Sequence, residues 1–378
     1  MEVLVLSCGM GGGHNAAGRA VAEELERRGH SVVFMNAFRL NGDRVASIVN
    51  GAYIKIAQRV PRLFGLIYML GNAYRKLPVK SPVYWANGKM AGSVEQFLLK
   101  HTFDAVVMTH VFPAQTFAKL KENHICIPKT YLVATDYTCI PFLEETDCDY
   151  CIIPSKELTQ EFCDYGFQKE RLLPFGIPVG RAFFEEETKE EARERLGIIK
   201  DGFCMLLSGG SIGAGKLPKA IRVLTEVLLE NPKNSLIVIC GNNQKLYRKL
   251  QKKYGCQTQI CLLQKTSRMA AYMKACDVLI SKPGGLTSTE AAASETPLVH
   301  ISPIPGCETR NMEFFEKHGM SIAVRNLKKE LLPAVRKLQS PKRALDMKKT
   351  QRMYVNRFSV VDLCDKIEQE ISKQKEKL

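Results

Sequence analysis

A histidine ends a glycine cluster near the start of the chain, in the stretch SCGMGGGHNAAGRA of residues 7–20. Three consecutive glycines at 11–13 let a ligand approach the backbone closely, and His14 follows them directly. Since an imidazole titrates near physiological pH, His14 is a candidate general base. A lone histidine in a turn is more often a surface or capping residue. The position of His14 after the strand-like run EVLVLS favours the catalytic interpretation.

A second glycine-rich turn, GGSIGAGK at residues 209–216, resembles a P-loop. Leu217 stands where a nucleotide triphosphatase needs a hydroxyl on magnesium, so the match fails. What remains is a strand, a glycine turn and a helix N-terminus, whose amides can hold a phosphate without metal. The candidate contacts are Gly210, Ser211 and Gly213. A plain turn without a ligand is the alternative.

A third turn, SKPGGLTSTEAAA at residues 281–293, has the same form. Gly284 and Gly285 turn the chain into a predicted helix, and Thr287 lies near its start. Glu290 is predicted in the first or second turn, where it could bind both hydroxyls of a ribose. A plain capping glutamate, which the helix dipole also favours, is the alternative.

A tract without acidic residues runs from Arg44 to Val94 and mixes basic residues, such as Arg75, with apolar and aromatic ones. This composition is typical of an interfacial helix on an anionic membrane. Nucleic acid is the less favoured partner, because the apolar content is high for a face that binds phosphates. Part of the tract is expected to be core. The candidate membrane or acceptor contacts are Arg59, Arg62, Phe64, Tyr68, Tyr74 and Trp85.

Strand and helix signals alternate in both halves of the chain, which predicts two α/β domains of Rossmann type, each with a parallel sheet. The ligand cleft is expected between the carboxyl ends of the two sheets. Asn15 is predicted to cap the first helix, which places His14 in the loop before it. The predicted bounds are 1–176 for the first domain, 177–187 for a linker, 188–355 for the second domain and 356–378 for a final helix.

The chain has 378 residues, thirteen cysteines and a formal net charge of +15, which suits a polyanionic partner such as lipid, nucleic acid or a phosphate-rich ligand. It shows no secretory signal and no run near the ~18 apolar residues of a membrane span. We therefore expect a cytoplasmic protein with reduced thiols. Cys148 and Cys151 form a single C-x-x-C pair, so no metal site is expected.

Taken together, GGGHNAAGRA, SGGSIGAGK and SKPGGLTSTEA followed by PIPGCETRN resemble the monogalactosyldiacylglycerol synthase and processive diacylglycerol glucosyltransferase family over roughly residues 1–360. The resemblance implies the GT-B fold, with two Rossmann-like domains and a C-terminal helix that returns to the first. It also implies an inverting transfer from a UDP-sugar to diacylglycerol, without a cofactor, at the cytoplasmic membrane face. Alternatives are a polyprenyl-linked or other lipid acceptor, or a binding protein for nucleotide sugars or nucleic acid that has lost catalysis.

The same resemblance assigns roles to individual residues. His14 matches the proposed base, with possible help from Asp136 in the pair Thr135–Asp136 near the acceptor. Two departures from the family, Cys307 in place of a glutamine and CIPF in place of a His-x-x-Trp pattern, leave the donor sugar and the acceptor headgroup open. The residues assigned to the donor are Gly13, Gly210, Ser211, Gly213, Gly284, Gly285, Thr287, Glu290, Cys307, Glu308 and Asn311.

Overall fold

The computed structural model of the chain describes residues 1–9, 12–42, 51, 61–211, 213 and 215–376. Arg59 lies outside these residues, as do the side chains of Arg62 and Phe64. The described chain divides into two compact units, one of residues 1–181 and 358–378 and the other of residues 182–357. A short 3-10 helix, Arg181–Phe183, spans the first crossing between them.

The first unit is built on a parallel sheet of six strands within the described residues, in the order β2-β1-β3-β4-β5-β6. Its central strand β3 is a continuous apolar run with every residue buried in the core, as expected for a sheet covered by helices on both faces. The strands are β1 Glu2–Ser7, β2 Ser31–Asn36, β3 Ala105–Met108, β4 Lys129–Val133, β5 Tyr150–Ile152 and β6 Leu172–Leu173.

The first helix begins two residues earlier than His14, at Gly12, so the predicted cap at Asn15 is wrong and His14 lies in the first helical turn. Glycine disfavours a helix interior, but its cost is small in the first turn, where backbone amides have no helical partner anyway. The described helices of this part of the chain are α1 Gly12–Arg27, α2 Pro61–Tyr74, α3 Pro82–Gly88, α4 Ala91–Leu98, α5 Val111–Glu122 and α6 Thr159–Asp164, with short 3-10 helices at Ala37–Asn41, Leu143–Glu145, Lys156–Leu158 and Lys169–Arg171.

The second unit repeats the architecture with a parallel sheet in the order β12-β11-β10-β7-β8-β9. Its strands are β7 Cys204–Ser208, β8 Ser235–Ile239, β9 Ile260–Leu263, β10 Val278–Ser281, β11 Leu298–Ile301 and β12 Ile322–Val324. Its helices are α7 Lys189–Leu196, α8 Leu217–Glu230, α9 Gln244–Tyr254, α10 Met269–Ala275, α11 Gly285–Ala293, α12 Cys307–Lys317, α13 Leu327–Leu338 and α14 Pro341–Tyr354.

The last helix, α15 Ser359–Lys375, belongs to the first unit although it ends the sequence. It buries an apolar side that includes Leu363 and Ile367. Arg28, just beyond α1, forms ion pairs with Asp365 at 2.6 Å and Glu368 at 2.8 Å. Apolar burial and these ion pairs together hold the end of the chain against α1.

Each sheet contains a point at which the strand order reverses. In the first, the chain passes from β1 to β2 on one side and then to β3 on the other. In the second, it passes from β7 to β8 and β9 and then returns to β10 on the other side of β7. Open α/β sheets bind ligands outside the carboxyl ends of the strands at such points. His14 follows β1, and the two glycine-rich turns follow β7 and β10, so all three motifs flank a reversal point.

Candidate active site

The imidazole of His14 is held in one orientation by two groups from neighbouring strands. Its Nδ1 lies 2.8 Å from the carbonyl oxygen of Thr109, after β3, and 2.9 Å from Oγ1 of Thr135, after β4. A carbonyl oxygen only accepts, so Nδ1 carries the hydrogen and donates it. In neutral His14 the lone pair is therefore on Nε2, which has no protein partner among the described residues. This tautomer can accept a proton from a ligand.

The electrostatic surroundings keep His14 in the form that a base requires. Burial lowers the pKa of His14, and the negative charge of Asp136 together with the hydrogen bond to Thr109 opposes this effect only in part. The group is therefore neutral near pH 7, while the nearby carboxylate stabilises the imidazolium that forms when His14 takes up a proton.

A small pocket opens beside His14 at the carboxyl ends of β1, β3 and β4. Its polar wall includes His14, His110 and Asp136, and its apolar wall includes Ile140 and Leu143. The structure thus brings together the histidine and the Thr135–Asp136 pair that lie more than a hundred residues apart in the sequence. The part of Thr109 was not foreseen, because a backbone carbonyl leaves no signal in the residue type.

The glycine turn after β7 is held against the segment after β8. The carbonyl oxygen of Ser211 accepts from the backbone amide of Asn242 at 2.9 Å, and that of Gly213 accepts from Asn243 Nδ2 at 3.2 Å. Gly213 has φ +60°, and a Cβ there would lie 2.1 Å from the carbonyl oxygen of Cys240. Gly213 is thus required by packing of the loop itself, whether or not a ligand binds.

A lysine that the sequence analysis did not single out joins the turns after β7 and β10. The Lys282 side chain passes over Gly210, whose added Cβ would lie 3.3 Å from Lys282 Cε. Its ammonium group pairs with Glu308 Oε1 at 2.5 Å. The position of Lys282 directly before the Pro-Gly-Gly turn was the signal that could have identified it. It places a positive charge beside both phosphate-competent loops.

Glu308 and Asn311 brace the turn at residues 282–285. Both carboxylate oxygens of Glu308 are occupied, one by Lys282 and the other by the backbone amide of Ile304 at 2.8 Å. Asn311 is fully buried, and its Nδ2 donates to the carbonyl oxygen of Pro283 at 3.0 Å. These contacts make both residues positioning groups for Lys282 and the turn. Cys307, the first residue of α12, is half-buried.

Helix α11 presents its N-terminus beside this turn. Gly284 precedes the helix and supplies no side-chain cap, and Gly285 is the first helical residue. Uncapped amides at a helix N-terminus bind phosphate through hydrogen bonds and the helix dipole. Thr287, in the first turn, is half-buried and contributes a hydroxyl nearby.

Glu290 lies in the second turn of α11, and its carboxylate has no hydrogen-bond or ion-pair partner among the described residues. The capping alternative is therefore wrong, since a capping carboxylate accepts from first-turn amides. Although the residue as a whole is half-buried, burial of the carboxyl group raises the pKa of Glu290 to about 8. An unpartnered, desolvated carboxyl group is suited to receive hydroxyl groups from a ligand.

The described part of the acid-free tract has two faces. On the inner face the Arg75 side chain is buried and paired with Glu144 at 2.6 Å, with its guanidinium over the Tyr165 ring. Tyr68 and Tyr74 are half-buried, whereas Trp85 is 55% exposed. Four apolar side chains of α2 are 46–60% exposed and form what we call the α2 apolar surface: Leu66, Ile67, Met69 and Leu70.

The opposite side of α2 packs on the loop that lines the His14 pocket. A Cβ at Gly71 would lie 2.9 Å from Pro141 Cβ, and Arg75 donates to the Cys139 carbonyl oxygen at 3.0 Å. Ile140 and Leu143 of the same loop line the pocket. One loop therefore connects the α2 apolar surface with the site of the candidate base.

Neither a metal cluster nor a spanning helix is found in the part of the chain that the structure describes. No group of three or more His, Cys, Asp or Glu side chains there could hold a metal ion. Burial raises the pKa of Cys148 to about 12 and that of Cys151 well above its usual value, which disfavours metal-binding thiolates. None of the described helices is long and apolar enough to cross a bilayer.

Two family matches cover most of the chain. Residues 14–179 match the family described as monogalactosyldiacylglycerol (MGDG) synthase, and residues 204–367 match the glycosyltransferase family 28 C-terminal domain. The first half of the chain thus matches the MGDG synthase family, and the second half matches a glycosyltransferase family 28 domain. The resemblance inferred from the motifs is confirmed, and the matches include His14 and every candidate donor residue of the second unit.

Two curated relatives of this chain have the same name. The processive diacylglycerol beta-glucosyltransferase of Bacillus licheniformis is 27% identical over 375 residues, which is 97% of this chain and 95% of the relative. The protein of that name from Bacillus pumilus is 24% identical over the same shares of the two chains. The likeness to these relatives is thus nearly end to end.

Solved structures establish the fold of this chain. MurG of Acinetobacter baumannii matches with a TM-score of 0.61 at 16% identity, over 97% of this chain and 99% of that one. A UDP-GlcNAc 2-epimerase from Neisseria meningitidis, bound to UDP-GlcNAc, matches with a TM-score of 0.64 at 12% identity, over 98% and 100%. The predicted GT-B fold class, with a parallel sheet in each Rossmann-like domain, is confirmed. At these identities the likeness concerns the fold alone, because one fold supports several reactions.

Proposed function

We propose that the protein transfers a hexose from a UDP-sugar to diacylglycerol, with inversion at the anomeric carbon. The observation that carries this proposal is the open Nε2 of neutral His14, fixed by Thr109 and Thr135 at the strand-order reversal point of the first sheet. The two family matches support glycosyl transfer, and the names of the relatives support glucose and diacylglycerol.

In the proposed reaction, His14 Nε2 takes the proton from the acceptor hydroxyl as its oxygen attacks the anomeric carbon. The bond from that carbon to the UDP oxygen breaks on the opposite face, through an oxocarbenium-like transition state of the kind known from glycosidases. A single displacement on an α-linked UDP-hexose yields a β-glycoside, the linkage in the names of the relatives. Asp136 stabilises the imidazolium by its charge.

The second unit is proposed to bind UDP without a metal ion or a cofactor. The backbone of the turn with Gly210 and Ser211, and the uncapped amides at the N-terminus of α11 after Gly284, are proposed to contact the diphosphate. Lys282 adds a positive charge where the leaving group becomes more negative. Such preorganised groups stabilise the developing charge directly. Glu290 is proposed to accept from the ribose hydroxyls.

Transfer to dioleoylglycerol in anionic mixed micelles, with each UDP-hexose offered in turn, tests the function. We expect release of UDP that depends on the lipid with one donor, together with a glycosylated lipid product. If the protein binds UDP but releases no UDP from any UDP-hexose in the presence of lipid, the proposal is contradicted. Epimerisation of a UDP-sugar in the absence of lipid would assign the protein to the other chemistry that this fold supports.

Acceptor access is proposed to depend on peripheral docking at the inner face of the cell membrane, through the α2 apolar surface. Exposed basic residues, Lys76 and Lys80, follow α2 and suit anionic headgroups. Since α2 packs on the loop that lines the His14 pocket, docking there would bring lipid close to the base.

Replacing Leu66, Ile67 and Leu70 by serine should lower the affinity for vesicles of phosphatidylglycerol and phosphatidylcholine by about tenfold or more, since each buried aliphatic side chain contributes ~1.5–3 kcal/mol when fully buried. Vesicle co-sedimentation measures the effect. A matched control replaces three exposed apolar residues of the second unit, Leu229, Leu345 and Met353, by serine. Unchanged vesicle binding by the α2 variant would refute the docking assignment, and preferential binding of an RNA oligonucleotide would favour the nucleic-acid alternative.

A further inference from the structure

A second imidazole stands against that of His14. The rings of His14 and His110 are 4.6 Å apart between centroids and nearly perpendicular, at 76°. The two residues follow β1 and β3, which are adjacent strands, and both line the same pocket. His110 also precedes α5 and caps it, because its Nδ1 accepts from the Phe112 backbone amide at 3.2 Å.

The hydrogen bonds of the two rings require opposite tautomers. An amide N–H only donates, so Nδ1 of His110 holds the lone pair and the hydrogen of the neutral ring is on Nε2. His14 is the reverse, because its Nδ1–H donates to the Thr109 carbonyl oxygen. Neither Nε2 atom has a protein partner in the described parts of the chain. The pocket therefore contains one open acceptor and one open donor on neighbouring rings.

We propose that His110 donates a hydrogen bond from Nε2 to the acceptor hydroxyl oxygen whose proton His14 removes. This inference rests on the function proposed above. A hydroxyl group has one hydrogen and two lone pairs. The hydroxyl donates its hydrogen to His14 Nε2 and accepts a hydrogen bond from His110 Nε2 on one lone pair. The other lone pair attacks the anomeric carbon. The two rings thus orient a single hydroxyl.

His110 is suited to remain a donor while His14 changes its charge. Burial lowers the pKa of His110 well below its usual range, and the charge on His14 lowers it further. When His14 becomes an imidazolium, His110 therefore stays neutral, keeps its Nδ1 lone pair on the Phe112 amide and retains its Nε2 hydrogen. The proton that His14 takes up therefore comes from the hydroxyl of the lipid acceptor and not from His110.

Two substitutions separate this role from capping. Asparagine is among the strongest N-cap residues, so H110N keeps an acceptor for the Phe112 amide but has no donor at the Nε2 position. Glutamine is longer and a weaker cap, so H110Q places an amide donor near that position while losing the cap. H124N is the matched control, because His124 is exposed with φ +58°, a conformation that asparagine adopts easily.

Initial-rate measurements test the proposal. In one series dioleoylglycerol is varied at saturating UDP-hexose, and in the other UDP-hexose is varied at saturating dioleoylglycerol. We expect H110N to lower kcat/KM for the lipid ~10-fold, the effect of losing one hydrogen bond, with the KM of UDP-hexose within about twofold of wild type. H110Q should exceed H110N by about threefold although it melts at a lower temperature. H124N should match the wild type.

Defective H110Q beside fully active H110N would overturn the proposal, because capping alone would then explain His110. A wild-type protein that glycosylates no lipid would overturn the proposed function itself, an outcome distinct from the variant comparison. Nitrogen-15 NMR of protein with labelled histidines tests the tautomers without an activity assay. It should show hydrogen on Nε2 of His110 and on Nδ1 of His14, and the reverse assignment would overturn the pairing.

Discussion

Replacing His14 by alanine is expected to lower kcat for hexose transfer by about 10²-fold or more, the usual loss when a general base is removed. His14 is placed in the first unit, whereas the proposed donor groups belong to the second, so the affinity for UDP-glucose should change little. Single-turnover transfer to dioleoylglycerol measures the chemical step, and calorimetry measures donor binding. A kcat within threefold of wild type would show that another group takes the proton.

The pH profile provides an independent check on the base. His14 acts unprotonated, so activity should fall as the pH drops through the pKa of His14. Burial lowers that pKa, so the acidic limb should lie below the ordinary value of 6.5. Asp136 raises the pKa of His14, and D136N should therefore move the limb to still lower pH. A limb that moves upward in D136N would contradict the assigned electrostatics.

Replacing Glu290 by alanine is expected to weaken UDP-glucose binding by about 10²-fold, because two hydrogen bonds to a charged group are lost. E290Q should lose about tenfold, since one acceptor oxygen remains. Calorimetric titration measures both variants. The matched control is E226Q, which neutralises an exposed glutamate of the same unit. Donor affinity that is unaffected in E290A would exclude Glu290 from the site.

The protonation state of Glu290 provides a second test of its proposed contact with the ribose. With the pKa of Glu290 at about 8, the carboxyl group is mostly protonated at pH 7 in the free protein. Ribose hydroxyls donate to the ionised form, so donor binding should release a proton, and affinity should rise with pH up to about 8 and then level. Titration in buffers of different ionisation enthalpy detects the release. E290Q should show none.

A ligand variant tests the same contact from the other side. The 2′-deoxy analogue of UDP-glucose lacks one of the two hydroxyls, so it should bind more weakly than UDP-glucose to the wild type but almost equally to E290A. An equal penalty in both proteins would mean that the 2′-hydroxyl meets another group.

Several features of the site follow from local sequence pattern, and the structure shows why. The mostly apolar runs before His14, Gly209 and Lys282 are strands β1, β7 and β10, because a strand buried on both faces is a nearly continuous apolar run. Alternation of such runs with helices predicts parallel sheets. In a parallel sheet, glycine turns that follow strands gather at the same edge. The sequence therefore predicts both the fold class and the three loops.

Other expectations failed where the local signal was ambiguous. The predicted cap at Asn15 would leave residues 12–14 in a loop, yet they form the first turn of α1. The composition of the acid-free tract does not show which of its basic residues are buried, and Glu144, sixty-nine positions from Arg75, pairs with that residue in the interior. In neither case do the residues adjacent in the sequence show what the structure decides.

By itself, the sequence determined the strands, the glycine turns and the candidate base, because each depends on residues adjacent in the chain. Only the tertiary structure decided which nitrogen of His14 is open, since the Thr109 carbonyl that selects the tautomer is ninety-five residues away. It also decided that Lys282 bridges two loops and that Glu290 has no partner within the described parts of the chain. Hydrogen bonding and burial are relations between distant segments. The types and spacing of nearby residues do not determine these contacts, because they form only when the order of the strands brings the distant segments together.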